Sequence, residues 1–478
     1  VVSLDPKLME MLVYRQSPYY MMEDTYERNA AFYANADYTF DRRYSISASA
    51  RYDGSNQLGR GAAKRWLPTW TFAGKWIISN EAFMENASRI VDFMSLRASY
   101  GLTANIPPSA SNAMALYYNQ ELYRPGNAEV GITLADLQNT ELTWEKNYQL
   151  NVGFDLTLFG GRLDFNVDYF NRQGFDLISQ IKVAGIGGFM WKNANYADLD
   201  SQGVDITLGG KMISTKDWTW SAHFTFGYSK NIIRNAKNSP EVFELVRQEG
   251  GNKNNYPVNS LFSIPFAGLN PETGIPMFYN EKGEIGYDCY MQGIETDFLK
   301  YEGQIDPKYT GGLNTTLRWK SLSMNLFFTF QAGNVIRLNP VFSSSYSDIT
   351  ALPNEFKDRW IMSGDEQRTD IPAIADNLMQ KLYLSSAYPY NNYNYSSARV
   401  AKGDFIRLKS LSINYELPSA LVRKSRVFKR AAVRLTAKDL WLMYSDKALN
   451  GQDPEFFNTG GVAMPVQTQF VLSLDLGF

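Results

Sequence analysis

The side chains that could carry chemistry are few and scattered. The chain holds one histidine, His223, and one cysteine, Cys289. A zinc site needs several such ligands, and a Ser–His–Asp arrangement needs a base held between a nucleophile and a carboxylate. His223 falls in a run whose alternate members are Thr219, Ser221, His223, Thr225, Gly227 and Ser229. It therefore reads as one hydrogen-bonding group on a polar face. A single cysteine excludes an intramolecular disulfide framework, and Cys289 reads as a lone thiol in a long loop. Asp198-Leu-Asp200-Ser-Gln202-Gly203 imitates the start of a calcium loop. Gly209, however, stands where that loop requires its bidentate Glu. Gly185-Ile-Gly187-Gly188 lacks the Lys and helix of a phosphate loop. No nucleophile–base–acid set stands out, so the sequence does not read as an enzyme and calls for no metal or cofactor.

The remaining chemistry is recognition. Segment 333–404 carries Tyr346, Trp360, Tyr383, Tyr388, Tyr390, Tyr393 and Tyr395, interleaved with Asn391, Asn392 and Asn394. Flat aromatic faces suit sugar rings or peptide side chains, and amides supply hydrogen bonds. The candidate substrate-binding residues are Trp360, Tyr388, Tyr390, Asn391, Tyr393 and Tyr395. The same composition also suits a loop packing on itself or on a partner. Asn252-Lys-Asn-Asn-Tyr256 is a second polar cluster with the same two readings.

These loops must be held by something, and the dominant signal is strict alternation. In 162–169, Leu163, Phe165, Val167 and Tyr169 alternate with Arg162, Asp164, Asn166 and Asp168. In 218–229, Trp218, Trp220, Ala222, Phe224, Phe226 and Tyr228 occupy one phase and polar residues or glycine the other. A period of two means a β-strand with one apolar and one polar face. Thirteen such strands are expected: 30–40, 43–53, 68–78, 92–101, 145–158, 162–172, 203–213, 218–230, 309–319, 322–332, 405–416, 432–441 and 466–478. Their mean length exceeds eleven residues. Globular strands run about five to six residues, whereas membrane-spanning strands need about nine to eleven.

The connections alternate too. Short ones (41–42, 79–91, 159–161, 214–217, 320–321, 417–431) separate mostly long ones (54–67, 102–144, 173–202, 231–308, 333–404, 442–465). Outer-membrane barrels pair tight periplasmic turns with long outside loops in this way. Aromatics make up 14% of the 478 residues. Tyr52, Trp76, Tyr100, Tyr169, Trp218, Tyr228, Trp319, Tyr415 and Trp441 lie near the expected strand ends, where interfacial girdles belong. With 47 Lys+Arg against 49 Asp+Glu, the formal net charge is −2, which gives no footprint for nucleic acid. No run approaches 18 apolar residues, so no transmembrane helix is expected, and VVSLDPKLMEM at the start lacks the marks of a signal peptide.

The expected fold is thus all-β, a transmembrane antiparallel β-barrel in a bacterial outer membrane. Residues 1–29 are expected as an extracellular loop segment. Residues 30–478 are expected as barrel with extracellular loops 102–144, 173–202, 231–308, 333–404 and 442–465. Thirteen strands is an odd number, and bacterial single-chain barrels have even counts. An open edge in lipid leaves backbone groups unpaired at several kcal/mol each. Further strands are therefore expected from another polypeptide or an upstream segment.

Particular stretches carry a family resemblance. They are Arg51, Asp53, Gly54, Ser55 and Gly59 in RYDGSNQLG; Pro68, Trp76, Ile78, Glu81 and Phe83; LRASYGLTAN (Leu96 to Asn105); LTWEKNYQLNVGFDLTLFGG (Leu142 to Gly161) followed by RLDFNVDYFNR; GDFIRLKSLSINYELP (Gly403 to Pro418); and Phe478. The chain resembles the C-terminal part of SusC/RagA-type TonB-dependent transporters of Bacteroidota. Ala104 replaces the Gly of that family's Thr-Gly-Asn signature. The resemblance implies a 22-stranded barrel whose plug and remaining strands lie outside this chain. It also implies a SusD-like surface lipoprotein as lid, energy from TonB through the plug, and import of an oligosaccharide or oligopeptide. A passive channel or a surface-binding barrel is the alternative.

Overall fold

The computed structural model describes residues 26–107, 116–124, 127–134, 137–185, 190–340, 354–374, 388–418, 422, 427–456 and 467–477. Most of the expected segment 1–29, together with Tyr346, Tyr383, Gly187, Gly188 and Phe478, lies outside these residues.

All thirteen expected strands form. They are β1 (Asn29–Phe40), β2 (Tyr44–Ser55), β3 (Trp66–Ile77), β4 (Val91–Asn105), β5 (Glu145–Leu158), β6 (Leu163–Lys182), β7 (Trp191–Ser214), β8 (Trp218–Arg234), β9 (Tyr309–Trp319), β10 (Leu322–Ala332), β11 (Phe405–Glu416), β12 (Arg430–Ser445) and β13 (Gln469–Gly477). They pair in this order as one antiparallel sheet. Among the described residues, β1 pairs only with β2 and β13 only with β12. Each outer strand thus leaves one edge unpaired within the described chain.

Register explains why the alternation persists across strands. Met94, Leu156, Phe165, Leu208, Phe224, Leu313, Phe328 and Leu408 form one continuous row through eight strands. The adjacent row reads Ser95, Asp155, Asn166, Thr207, Thr225, Gly312, Thr329 and Arg407. One face of the wall is therefore apolar and the other polar, since a one-residue slip would exchange them. The apolar face is bare within the chain: Phe72, Leu472 and Leu474 are 59%, 73% and 65% exposed. An apolar surface of this extent needs a cover, and lipid is the cover for which a closed wall of long strands is built.

Two aromatic rows border that face. At the short-turn end Tyr44 stacks near Trp76 and Trp218 on Trp319, with ring centroids 6.4 and 5.8 Å apart. At the long-loop end Tyr52 meets Trp66 at 5.0 Å and Tyr228 meets Tyr309 at 5.4 Å. From Trp218 to Tyr228 the strand rises about 33 Å, at roughly 3.3 Å per residue. A tilt of about 40° makes that about 25 Å along the membrane normal, the height of an outer-membrane apolar band. Tyr169 lies mid-strand, yet its register with Val204 and Tyr228 puts it at the upper row. Trp441 does not reach a border: it pairs with Leu408, in the row of Phe165.

The segment expected as loop 173–202 is mostly strand. β6 and β7 run for 20 and 24 residues and continue as a hairpin arm beyond their neighbours. The period-two signal stops near residue 172 for a physical reason. The register shifts between Gly174 and Leu177 and again before Ile178, with Asp176 at φ 58. Such bulges reset which residues face each side, so alternation breaks while pairing continues. In the same way, 102–144 holds a hairpin of strands Leu116–Arg124 and Asn127–Leu134.

Above the wall, loops 231–308 and 333–404 fold together. Val242, Leu245, Phe262, Ile264, Phe278, Leu299, Phe356 and Tyr393 form their shared apolar core. Packed together, the two loops bury apolar side chains that each alone would leave to water.

Candidate functional site: the polar wall and the loop body above it

Two surfaces face solutes, and both rest on the register just described. The first is the polar face of the wall. Arg97 of β4 reaches across β5: its guanidinium lies 2.8 Å from Asp168 Oδ2 and 3.4 Å from Asp155 Oδ2. Ser95 Oγ donates to Asp155 at 2.9 Å, and Asn166 Nδ2 donates to the other Asp155 oxygen at 2.5 Å. Gly153 makes this span possible, because a Cβ there would stand 2.4 Å from both Arg97 Nε and Asp168 Oδ1. Arg97, Gly153 and Asp168 of this network line a cavity of about 600 Å³ with Lys75, Asn151, Arg172 and Asp205. Its charges are interspersed, which suits hydrogen bonding to polar matter and favours neither sign of ion. His223 is exposed on this face beside Gly209 and Asn314, as its sequence phase implied.

The short-turn end is locked by Glu81. Its carboxylate accepts from Trp76 Nε1 at 2.9 Å, Tyr44 Oη at 2.5 Å and Arg43 at 3.1 Å. Those hydrogen bonds, Tyr44's first, hold the Glu81 carboxyl below its ordinary pKa.

The second surface is the loop body. Arg337 is buried at its centre. It donates to the Ser396 carbonyl at 2.9 Å, the Phe262 carbonyl at 2.6 Å and Ser263 Oγ at 3.0 Å. It thereby ties together segments that lie about 75 residues apart in sequence. Desolvation pushes its pKa down to about 9, which leaves it charged at neutral pH. Arg399 holds Glu355 through both carboxylate oxygens at 2.8 and 2.9 Å. Sequence reading missed Arg337 and Arg399, since nothing local distinguishes a loop arginine that will be buried. Arg97 was accessible to it, because its phase within LRASYG is the polar one.

The six candidate binding residues separate. A short helix, Pro389–Asn394, turns Tyr390 and Tyr393 inward, where they are 3% and 1% exposed. Tyr393 sits in the core against Phe266, and burial raises its phenol to about 12. Both rings are packing residues in this conformation. Tyr388 is 71% exposed and Asn391 is exposed beside it. Trp360 is half-buried against Gly274, with Nε1 donating to Glu366 at 3.2 Å. Tyr395 is half-buried edge-on to Phe243. Of the six, Tyr388 and Asn391 and parts of Trp360 and Tyr395 are thus open to solutes. Cys289 is partly buried against the same core, and burial raises its thiol to about 12, so it stays a protonated, unreactive group.

A family profile described as TonB dependent receptor-like, beta-barrel matches residues 11–415. The chain belongs to this family. TonB-dependent receptor P3 of Formosa agariphila is 27% identical over 440 residues, which is 88% of this chain and 41% of that protein. TonB-dependent receptor SusC of Bacteroides thetaiotaomicron is 24% identical over 235 residues, 48% of this chain and 22% of that protein. A solved structure of the RagAB peptide transporter superposes with a TM-score of 0.74 at 23% identity, covering 95% of this chain and 47% of the other. The chain spans less than half the length of the curated relatives it matches. The chain is thus part of the outer-membrane β-barrel wall of a TonB-dependent receptor, and its curated relatives are named as receptors.

Proposed function

We propose that this receptor wall is part of an importer that draws a bulky nutrient, an oligosaccharide or oligopeptide, across the outer membrane. The observation that carries the reading is the two-faced sheet: a bare apolar face for lipid and a hydrogen-bonding face for an aqueous path. The unpaired outer edges of β1 and β13 support completion of the barrel by further strands, with a plug inside it. Family membership supports coupling to TonB through that plug. The loop body, built from segments far longer than ordinary connections, supports contact with a SusD-like surface lipoprotein acting as lid. Tyr388, Asn391 and the open parts of Trp360 and Tyr395 are the proposed substrate contacts from this chain.

Deletion of the gene, followed by growth on single nutrients as sole carbon source, tests the reading. Loss of growth on one oligosaccharide or peptide mixture, restored by the gene and abolished without TonB, is expected. Unimpaired growth and uptake across the full panel would overturn it.

A further inference from the structure

The arm that carries β6 and β7 past their neighbours leans over the loop that follows β8. Between them lies a cleft of about 250 Å³. That is below the roughly 300–1,000 Å³ of pockets for drug-sized ligands, so it has room for one ring rather than for a chain. Trp191, from the first position of β7, contributes an indole that is 41% exposed. Lys182, its register partner, lies 5.4 Å above the ring centroid.

The charges around the cleft are already committed. Lys182 Nζ is 2.8 Å from Glu241 and 3.6 Å from Glu244. Those two glutamates also close the capping box of the short helix Val242–Val246. Arg247 pairs loosely with Glu249 at 4.0 Å and donates to the Gly250 carbonyl. The uncommitted groups are neutral. Ser179, Gln180, Asn238 and Ser239 line the cleft, and their side chains make no hydrogen bond among the described residues. A hydroxyl or amide both donates and accepts, as a sugar hydroxyl does. An indole face beside such groups offers an apolar surface to the C–H face of a ring.

From this geometry we propose that the cleft binds one ring of a neutral carbohydrate, with Trp191 as platform and Asn238 and Gln180, which shares the strand face of Lys182 and Trp191, as hydrogen-bonding rim. Internal pairing of Lys182 with Glu241 and Glu244 disfavours an anionic ligand beside the indole. The inference rests on the importer reading and gives its substrate a chemical class and a first contact.

The test uses the whole receptor purified from native membranes in mild detergent with whatever partner accompanies it. Methyl glucoside, methyl galactoside and methyl mannoside are titrated by saturation-transfer NMR, with trialanine in parallel. At least one hexoside should bind. Trp191→Ala and Asn238→Ala should each weaken it by roughly three- to tenfold, the size expected for one stacking or hydrogen-bonding partner. Outer-membrane abundance of both variants checks that they fold. Failure of all three hexosides to bind overturns the proposal. So does hexoside binding that neither variant alters, or trialanine binding that Trp191→Ala abolishes. Nutrient uptake separates the two readings. Gene-dependent uptake alongside failure of the wild-type receptor to bind any of the hexosides removes the cleft proposal alone. Uptake untouched by deletion of the whole gene removes the importer.

Discussion

Replacing Phe165 with arginine puts a charge on the face assigned to lipid. Phe165 shares a register row with Leu208 and Phe224. On β8, Phe224 is six residues from Trp218 and four from Tyr228, the two bordering aromatics. At about 3.3 Å per residue and a tilt of about 40°, that row lies about 15 Å from one border and about 10 Å from the other. It is thus close to the middle of an apolar band about 25 Å tall, where arginine costs about 2–4 kcal/mol. Asn166, one residue on, lies on the opposite face in the row of Asp155 and Thr207. Arginine there exchanges the hydrogen bond to Asp155 for a water-accessible charge pair with it and should cost no more than about 1 kcal/mol. The assay is guanidinium unfolding of the whole receptor in phospholipid vesicles, followed by tryptophan fluorescence, with Phe165→Leu as the volume control. A midpoint lowered for Phe165→Arg and held for Asn166→Arg is expected. The reverse order would mean that the faces are exchanged, and the wall assignment would fall with it.

Other consequences are as specific. A Cβ at Gly59 would stand 2.1 Å from the Thr140 carbonyl oxygen. Because that atom is backbone and yields little, Gly59→Ala should cost about 1–3 kcal/mol, seen as faster proteolysis around residues 137–144. Glu355→Ala leaves the Arg399 guanidinium buried without its bidentate partner. Loosening of segment 354–358 by about 3 kcal/mol should appear in hydrogen exchange. The Glu81 carboxyl is depressed below 4.5 in the folded state. Its stabilising contribution is therefore present above that value and fades as pH falls through the folded pKa. The stability gap between wild type and Glu81→Gln should accordingly close on acidification, and a gap that widens would contradict the sign. Tyr393→Ala should destabilise the loop body by about 3–5 kcal/mol, whereas Tyr388→Ala should leave thermal stability unchanged and weaken uptake of the nutrient.

The wall was legible in the sequence because its physics is local and periodic. A strand with lipid on one side and polar matter on the other must alternate, so Leu163 to Tyr169 and Trp218 to Tyr228 declare both their structure and their faces. Short turns at one end also fix antiparallel order, since neighbours joined by three or four residues have no choice of partner. Legibility stopped where that constraint stopped. Bulges at Gly174–Ile178 shifted the phase of the arm, and its pairing became visible only through the partner strand. Aromatic richness in 333–404 was visible, but whether a tyrosine meets solvent or core was not. One helical turn after Pro389 sends Tyr393 inward and leaves Tyr388 out, and that choice depends on Phe266, distant in sequence. The cleft beside Trp191 has no sequence signature either. Its parts come from the arm and from the loop after β8, and only the packing of two long excursions brings an indole, unpaired amides and neutralised charges to one place.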